Sequence, residues 1–394
     1  MSKLKIFLIA GESSGDYCGG KLISSLKKAF KGQLILSGVG GTYMKQEGFT
    51  TIFPMSDIAV MGIAEIIPSM FKIIRLINFT AEKIREFNPD IVVTIDAPGF
   101  CFRVIKKVAL LRGNGTKFVH YVSPSVWVYR KKRVYEMANY YDLVLALFPF
   151  EPKYYKGTGL RCEYVGHHLI ENSWLGNSGA FRKKCLIDKK AKIIGVFAGS
   201  REREIKEMLY YFNEAISKFI SIQKDSNDFV VVYPSVSEEA SRMINEFNSR
   251  YSFDYKVVKV SSYEEKIDMM NSFYMALLKS GTSSLELTFA KVPMIVGHKV
   301  HWFTAFVARK IFGVFKNIKH ISLTNIILNK KVIPEFIQED CTIDNLVKGL
   351  IFLTDNRNRD NQIANYERAI KKINSDGLAK PSEKAAKEII ELQT

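Results

Sequence analysis

The chain has 394 residues, enough for two domains with full cores, and 47% of them are hydrophobic, which excludes a disordered protein. Its 57 Lys and Arg against 40 Asp and Glu give a net charge of +17, an excess that suits a nucleic acid, a phosphorylated substrate or an anionic membrane. Five scattered cysteines without C-x-x-C or Cys/His spacing argue for a reducing compartment and against structural zinc, and no run approaches 18 apolar residues.

No signal peptide is expected, because the first residues lead straight into a strand. Ile6 to Ala10 is unbroken apolar sequence and predicts a buried parallel strand. It opens into Gly11-Glu12-Ser13-Ser14-Gly15-Asp16 and a helix through Leu26, so that Ser13, Ser14 and Gly15 are candidates for holding the polar end of a ligand. Gly15 to Lys21 matches G-x-x-x-x-G-K. Leu22 nevertheless stands where a Mg²⁺-binding Ser or Thr is needed, and the glycines fall inside the helix, which rejects an ATPase loop. Gly38-Val39-Gly40-Gly41 lacks the third spaced glycine of a dinucleotide fingerprint.

From Val60 to Phe79 the chain is apolar nearly all round, with Ser69, Lys72 and Arg75 as a narrow polar stripe. A helix that packs on one side needs a narrower apolar face. Two readings stay open: a helix buried on two sides, or an apolar surface for acyl chains or a bilayer. In the second, Ile63, Ile66 and Ile67 touch lipid and Lys72 and Arg75 sit at headgroup level.

Ile91 to Ile95 is a further apolar strand, and Asp96 stands at its C-terminal end before Ala97-Pro98-Gly99. Ligands of open α/β sheets bind just outside such ends, so Asp96 is placed like a general base; the alternative is a helix N-cap. Lys117 to Val122 is the next strand. It leads to Ser123, Ser125 and Trp127, candidates for phosphate contact together with the basic run Arg130 to Arg133. His167 and His168 are adjacent, would point apart in extended chain, and are taken as interdomain linker residues. Residues 171–190 have the composition of a linker.

A second α/β series begins at Lys192 to Ala198 and runs into Gly199-Ser200-Arg201, a turn suited to phosphate with a fixed cation. Strands follow at Phe229 to Tyr233 and Tyr255 to Val260. Then comes a strand–turn–helix–strand unit: Ala276-Leu277-Leu278, Ser280-Gly281-Thr282-Ser283-Ser284-Leu285-Glu286, and Pro293 to Val296. The N–H groups and hydroxyls at Ser280 to Thr282 can hold a phosphate. Glu286, about one turn into the helix, can reach a ribose hydroxyl. Trp302 to Phe312 is an aromatic, basic amphipathic stretch, and two or three helices close the chain.

These features suggest a two-domain nucleotide-sugar glycosyltransferase, and the motifs narrow it. The stretches AGESSGD at 10–16, AVMGIAEII at 59–67, PDIVVTIDAPGF at 89–100, HYVSPSVWVYRKKRV at 120–134 and DLVLALFPFE at 142–151 resemble the lipid-A-disaccharide synthase family. So do GSR at 199–201, SGTSSLE at 280–286, AKVPMIVG at 290–297 and SLTNII at 322–327, which adds Asn325 as a cleft-facing candidate. Gly99 stands where the family often has another acid, which leaves Asp96 as the base.

The resemblance implies an α/β GT-B fold of two facing Rossmann-like domains with parallel sheets: 1–170 for the acceptor, 171–364 for the UDP-sugar, and 365–394 as helices returning to the first. It implies transfer of 2,3-diacylglucosamine from its UDP derivative to 2,3-diacylglucosamine 1-phosphate with inversion, and no metal or other cofactor. Its implied setting is the cytoplasmic face of the anionic inner membrane of a Gram-negative bacterium, with no nucleic-acid partner and homo-oligomer formation left open. Another GT-B enzyme, such as a UDP-GlcNAc 2-epimerase or a peptidoglycan glycosyltransferase, would have no use for the Ile63–Ile77 surface. A non-catalytic membrane-docking or RNA-binding protein would leave the turns at 199–201 and 280–286 unexplained.

Overall fold

The computed structural model describes residues 2–59, 66–127, 131–199, 202–223, 228–235, 237–299, 319–374, 377 and 380–393, without the side chains of 59, 66–70 and 203. The expectations for Ile63, Arg130, Ser200, Arg201 and the 302–312 stretch, and those for the side chains of Ile66 and Ile67, lie outside that description. The chain forms two compact units, Met1–Glu171 with Ile373–Thr394, and Asn172–Lys372.

The first unit is built on six parallel strands: β1 (Lys3–Ala10), β2 (Gln33–Val39), β3 (Ile91–Ile95), β4 (Lys117–Tyr121), β5 (Leu143–Ala146) and β6 (Arg161–Tyr164). They are ordered β2-β1-β3-β4-β5-β6. The second has β7 (Lys192–Phe197), β8 (Phe229–Ser235), β9 (Tyr255–Lys259), β10 (Phe273–Lys279), β11 (Met294–His298) and β12 (Glu335–Ile337), ordered β12-β11-β10-β7-β8-β9. Helices cover both faces of such sheets, so the central strands must be apolar on both sides, whereas the edge strands β6 and β9 carry the exposed Arg161 and Lys259. In β10, Met275 and Leu277 enter one core while Ala276 and Leu278 enter the other. That is why these strands read as continuous apolar runs rather than alternating ones.

Two sequence expectations are corrected. Residues 171–190 are not plain linker: Asn177 caps the helix Ser178–Lys184 by accepting the Ala180 N–H at 2.9 Å, and Phe181 anchors it in the core of the second unit. His167 and His168 do not point apart. The chain turns into a short 3-10 helix at His168–Glu171, and the two rings meet with centroids 4.4 Å apart, both buried in the first unit.

The helix Asn356–Ile373 stays with the second unit through Lys372, held by Gln362, whose side chain bonds both the N–H and the C=O of Met294. The last helix, Pro381–Glu391, belongs to the first unit. There Ser382 meets Ser25 at 2.8 Å and donates its N–H to Glu171 at 2.7 Å, and Ala385, Ala386 and Ile389 are buried.

The helix Ile66–Phe87 answers part of the question raised by its composition. Ile73, Ile77, Thr80, Ala81 and Ile84 follow one face and are buried. Phe71 is 70% exposed and Ile74 46%, beside the exposed Lys72 and Arg75, and Lys72 pairs with Asp57 at 2.7 Å. Of the apolar residues in excess of one core face, Phe71 lies on the surface, while Leu76 is half-buried against the core of the first unit. Replacing Phe71 and Ile74 together by Ser should therefore leave stability nearly unchanged, whereas Ile77→Ala should cost about 2–5 kcal/mol. Denaturant unfolding of the two variants measures the difference, and an equal loss in both would place Phe71 and Ile74 in the core.

Candidate functional site

Each parallel sheet reverses its winding once, between β1 and β3 in the first unit and between β7 and β10 in the second. Crossovers leave to opposite faces at such a point, and a crevice opens at the carboxyl ends of the two strands.

In the first unit that crevice is closed tightly at its base. A Cβ at Gly11 would lie 2.5 Å from the Ala97 Cβ, and one at Gly15 would lie 3.2 Å from the Ile95 oxygen, so glycine lets the loop after β1 rest on the turn after β3. That turn is strained: Asp96 and Ala97 have φ of 52° and 45°, and Val122 after β4 has φ of 74°. Left-handed backbone at non-glycine residues costs about 1–3 kcal/mol each and persists only where neighbours enforce it. Here the ladder continues past the strand ends. Asp96 donates its N–H to Tyr121 at 3.0 Å, and Val122 donates to Leu145 at 3.1 Å.

Asp96 is not the N-cap, since that position belongs to Ala97, ahead of the helix Pro98–Val108. Its half-buried carboxyl is raised above the usual range by burial, while bonds from the Ala97 N–H and the Ser14 hydroxyl pull it back down. Ser14 thus meets Asp96, Ser13 is exposed above it, and Gly15 is buried beneath. Asp16, from the same motif, serves the fold: its carboxylate accepts the N–H groups of Gly41, Tyr43 and Met44. Ser125 is exposed, but Ser123 is turned inward, contrary to its expected ligand contact, and shares a 2.8 Å hydrogen bond with the Tyr155 hydroxyl.

Sequence reasoning missed a buried acid next to it. Glu151 accepts the Phe148 N–H at 2.8 Å, and burial pushes its carboxyl up to about 8 despite the Phe148 and Leu147 N–H groups and the Ser123 hydroxyl. On β3 and β4, Thr94 bonds His120 at 2.7 Å and Tyr141 at 3.2 Å, and burial, then Arg133, pushes the imidazole down to about 3. His167 and His168 are likewise held neutral by burial, and among the described residues no three His, Cys, Asp or Glu gather as metal ligands would.

In the second unit Gly199 has φ of 136°, and a Cβ there would lie 2.6 Å from the Glu204 Cβ. Across the crevice Ser280 is half-buried and donates to the Ile321 oxygen at 3.1 Å, while Gly281 and Thr282 are exposed. Thr282 occupies the N-cap position of the helix Ser283–Phe289 without capping it, and Ser284 turns back to the Gly281 oxygen at 2.8 Å. Glu286 is buried, with the Lys266 ammonium 2.7 Å from both its oxygens and the Tyr263 hydroxyl donating at 3.3 Å.

Asn325 does not face a cleft. It is fully buried, accepting the Val332 and Ile333 N–H groups and donating to the Ile333 oxygen, so it pins its own turn. Missed from sequence was Lys279, buried at the end of β10 and 2.8 Å from Glu204. A charge closing an apolar strand, the signal that singled out Asp96, would have found it.

Two Rossmann-like units, each with a crevice at its switch point, are the GT-B fold of nucleotide-sugar enzymes. Solved structures agree in fold. A UDP-GlcNAc 2-epimerase from Neisseria meningitidis, bound to UDP-GlcNAc, matches with a TM-score of 0.65 at 12% identity, covering 99% of this chain and 100% of that one. The glycotransferase of kitacinnamycin matches with 0.62 at 13% identity, covering 100% of both.

Sequence decides further. Residues 6–389 match the family model described as lipid-A-disaccharide synthetase. The lipid-A-disaccharide synthase of Rickettsia bellii is 38% identical over 386 residues, 97% of each chain, and that of Rhodospirillum centenum is 33% identical over 398 residues, 100% of this chain and 96% of its own. The chain belongs to the lipid-A-disaccharide synthetase family and is a glycosyltransferase.

Glu151 gives the site a pH signature. Its ordinary value of 4.5 applies to the unfolded chain, so folding favours the protonated form. The stability this contributes is full below about 4.5 and is lost as pH rises through about 8. Melting temperatures measured from pH 5 to pH 9 should fall less in Glu151→Gln than in the wild type. Parallel curves would show that Glu151 ionises normally.

Proposed function

We propose that the protein transfers 2,3-diacylglucosamine from its UDP derivative to 2,3-diacylglucosamine 1-phosphate, forming the β-1,6-linked disaccharide 1-phosphate and UDP with inversion. The observation that carries this reading is the position of Asp96: a carboxylate on enforced, strained backbone at the switch point of one unit. The other unit places its glycine turns at its own switch point. Family membership supplies the substrate class.

In this reaction Asp96 takes the proton of the acceptor 6-hydroxyl as that oxygen attacks the anomeric carbon from the face opposite UDP. The bond to the diphosphate breaks, and inversion needs no covalent carboxylate intermediate. The charge that develops on the departing diphosphate meets the N–H groups at Ser280 to Thr282 and the cation of Arg201, and the scheme uses no metal. In this scheme Ser13, Ser14 and Ser125 contact the acceptor, and Gly199 and Ser200 contact the donor. Glu286, already held by Lys266, offers its remaining lone pairs to the ribose.

The exposed Phe71 and Ile74 beside Lys72 and Arg75 fit a protein docked on the anionic cytoplasmic face of the inner membrane, where acylated substrates reside. Among the described residues no helix is long and apolar enough to cross it.

Asp96→Asn should lower turnover by roughly 10²–10⁴ while UDP affinity, read by titration calorimetry, stays the same. Product mass spectrometry with both acylated sugars tests the reaction itself. Near-normal turnover, or a parallel loss of UDP binding, removes Asp96 as the base.

The base acts ionised, so the acidic limb of the rate profile should lie above the ordinary aspartate range. Ser14→Ala, which deletes a bond favouring the charged form, should move that limb to higher pH. An unmoved limb would separate Ser14 from the reacting carboxylate.

A further inference from the structure

Lys279 is the last residue of β10 and stands directly before Ser280. Its ammonium lies 2.8 Å from the carboxylate of Glu204, in the first turn of the helix Glu202–Ser221 that follows the Gly199 turn. One ion pair therefore joins the two turns that flank the switch point. Its partners are not equivalent: the Lys279 side chain is 8% exposed and that of Glu204 27%. The cation is the inner partner and the carboxylate lies toward solvent.

Glu204 also lies against Gly199. A Cβ on that glycine would stand 2.6 Å from the Glu204 Cβ and 2.8 Å from its Oε2. A negative group thus rests on the turn, with the buried cation behind it. Next along the sheet, burial and then Lys279 push the His298 imidazole down to about 4, and its Nδ1 is buried with no hydrogen-bond partner among the described residues. This edge of the crevice carries the buried cation, a neutral imidazole and the displaceable Glu204 carboxylate, with Glu207 also acting on His298.

We propose that Glu204 is an internal counter-anion for Lys279 which an incoming nucleoside diphosphate displaces, taking over the lysine. The proposal rests on the second unit being the donor site, and it adds the cation that receives the phosphates and the group that competes with them. A buried ammonium needs a partner at all times, because removing its counter-charge leaves an uncompensated ion. A carboxylate and a diphosphate compete for one ammonium, since like charges a few ångströms apart repel strongly at low dielectric. Glu204, already partly hydrated, is the partner that leaves. Its return after transfer favours release of the nucleoside diphosphate product.

The test is calorimetric titration of the full-length protein with UDP, inorganic pyrophosphate and uridine. Glu204→Gln, which removes the competitor at a partly exposed position, should tighten UDP and pyrophosphate by on the order of tenfold. Lys279→Met should weaken both by a similar factor, and uridine should bind all variants alike because it carries no phosphate. If Lys279→Met does not fold, the double variant Glu204→Gln/Lys279→Met removes the pair together. It should bind pyrophosphate more weakly than Glu204→Gln. Unchanged or weaker UDP binding in Glu204→Gln, with the wild type binding UDP, overturns this inference alone. A wild type that binds no UDP overturns the donor-site reading, and the inference with it.

Discussion

The reversal of strand order in each parallel sheet is the constraint on which the rest of this molecule depends. Right-handed crossovers cover both faces of the central strands and leave little room for polar groups there, Thr94 and His120 being paired with each other. Where the winding changes direction, between β1 and β3 and between β7 and β10, the layers part and backbone emerges at the carboxyl ends. Gly11, Gly15 and Gly199 stand there because their loops must come within a Cβ's distance of Ala97, Ile95 and Glu204. Asp96 and Ala97 hold left-handed backbone there, and Asp96 donates its N–H to Tyr121 on the neighbouring strand.

Burial then sorts the ionisable groups at these ends into different tasks. Asp96, met by Ser14 and its own Ala97 N–H, keeps a carboxyl that is raised yet stabilised when ionised. Glu151, deeper and turned toward the chain, keeps its proton up to about pH 8 and braces the turn after β5. Lys279 pairs with the Glu204 carboxylate, and burial, then Lys279, pushes the neighbouring His298 imidazole down to about 4. Desolvation acts on Asp96, Glu151 and His298 alike, and the outcome at each depends on which partner stands within hydrogen-bond reach.

The helix Ile66–Phe87 shows how a sequence can hold two apolar requirements at once. Its inner face, Ile73, Ile77 and Ile84, packs on Phe7, Val92 and Phe100 in the core of the first unit. Phe71 and Ile74 add an outer apolar face with Lys72 and Arg75 beside it.

Much of this was legible in the sequence. Continuous apolar runs located the central strands, because a strand covered on both faces is mostly apolar, and the small polar residues after them located the turns. Asp96 was legible as a charge closing such a run. What only the tertiary structure decided was which polar groups face ligand and which are spent on the fold. Asn325 and Ser123 sit in motif-like turns yet turn inward, because Ile333 and Tyr155 offer them partners. His167 and His168 stack instead of diverging, because the chain coils at that point. Lys279 and Glu204 meet only because β7 and β10 are neighbours in the sheet. Periodicity fixes the direction of a side chain relative to its own strand or helix. The partner that satisfies a buried charge comes from elsewhere in the chain, and only packing brings the two together.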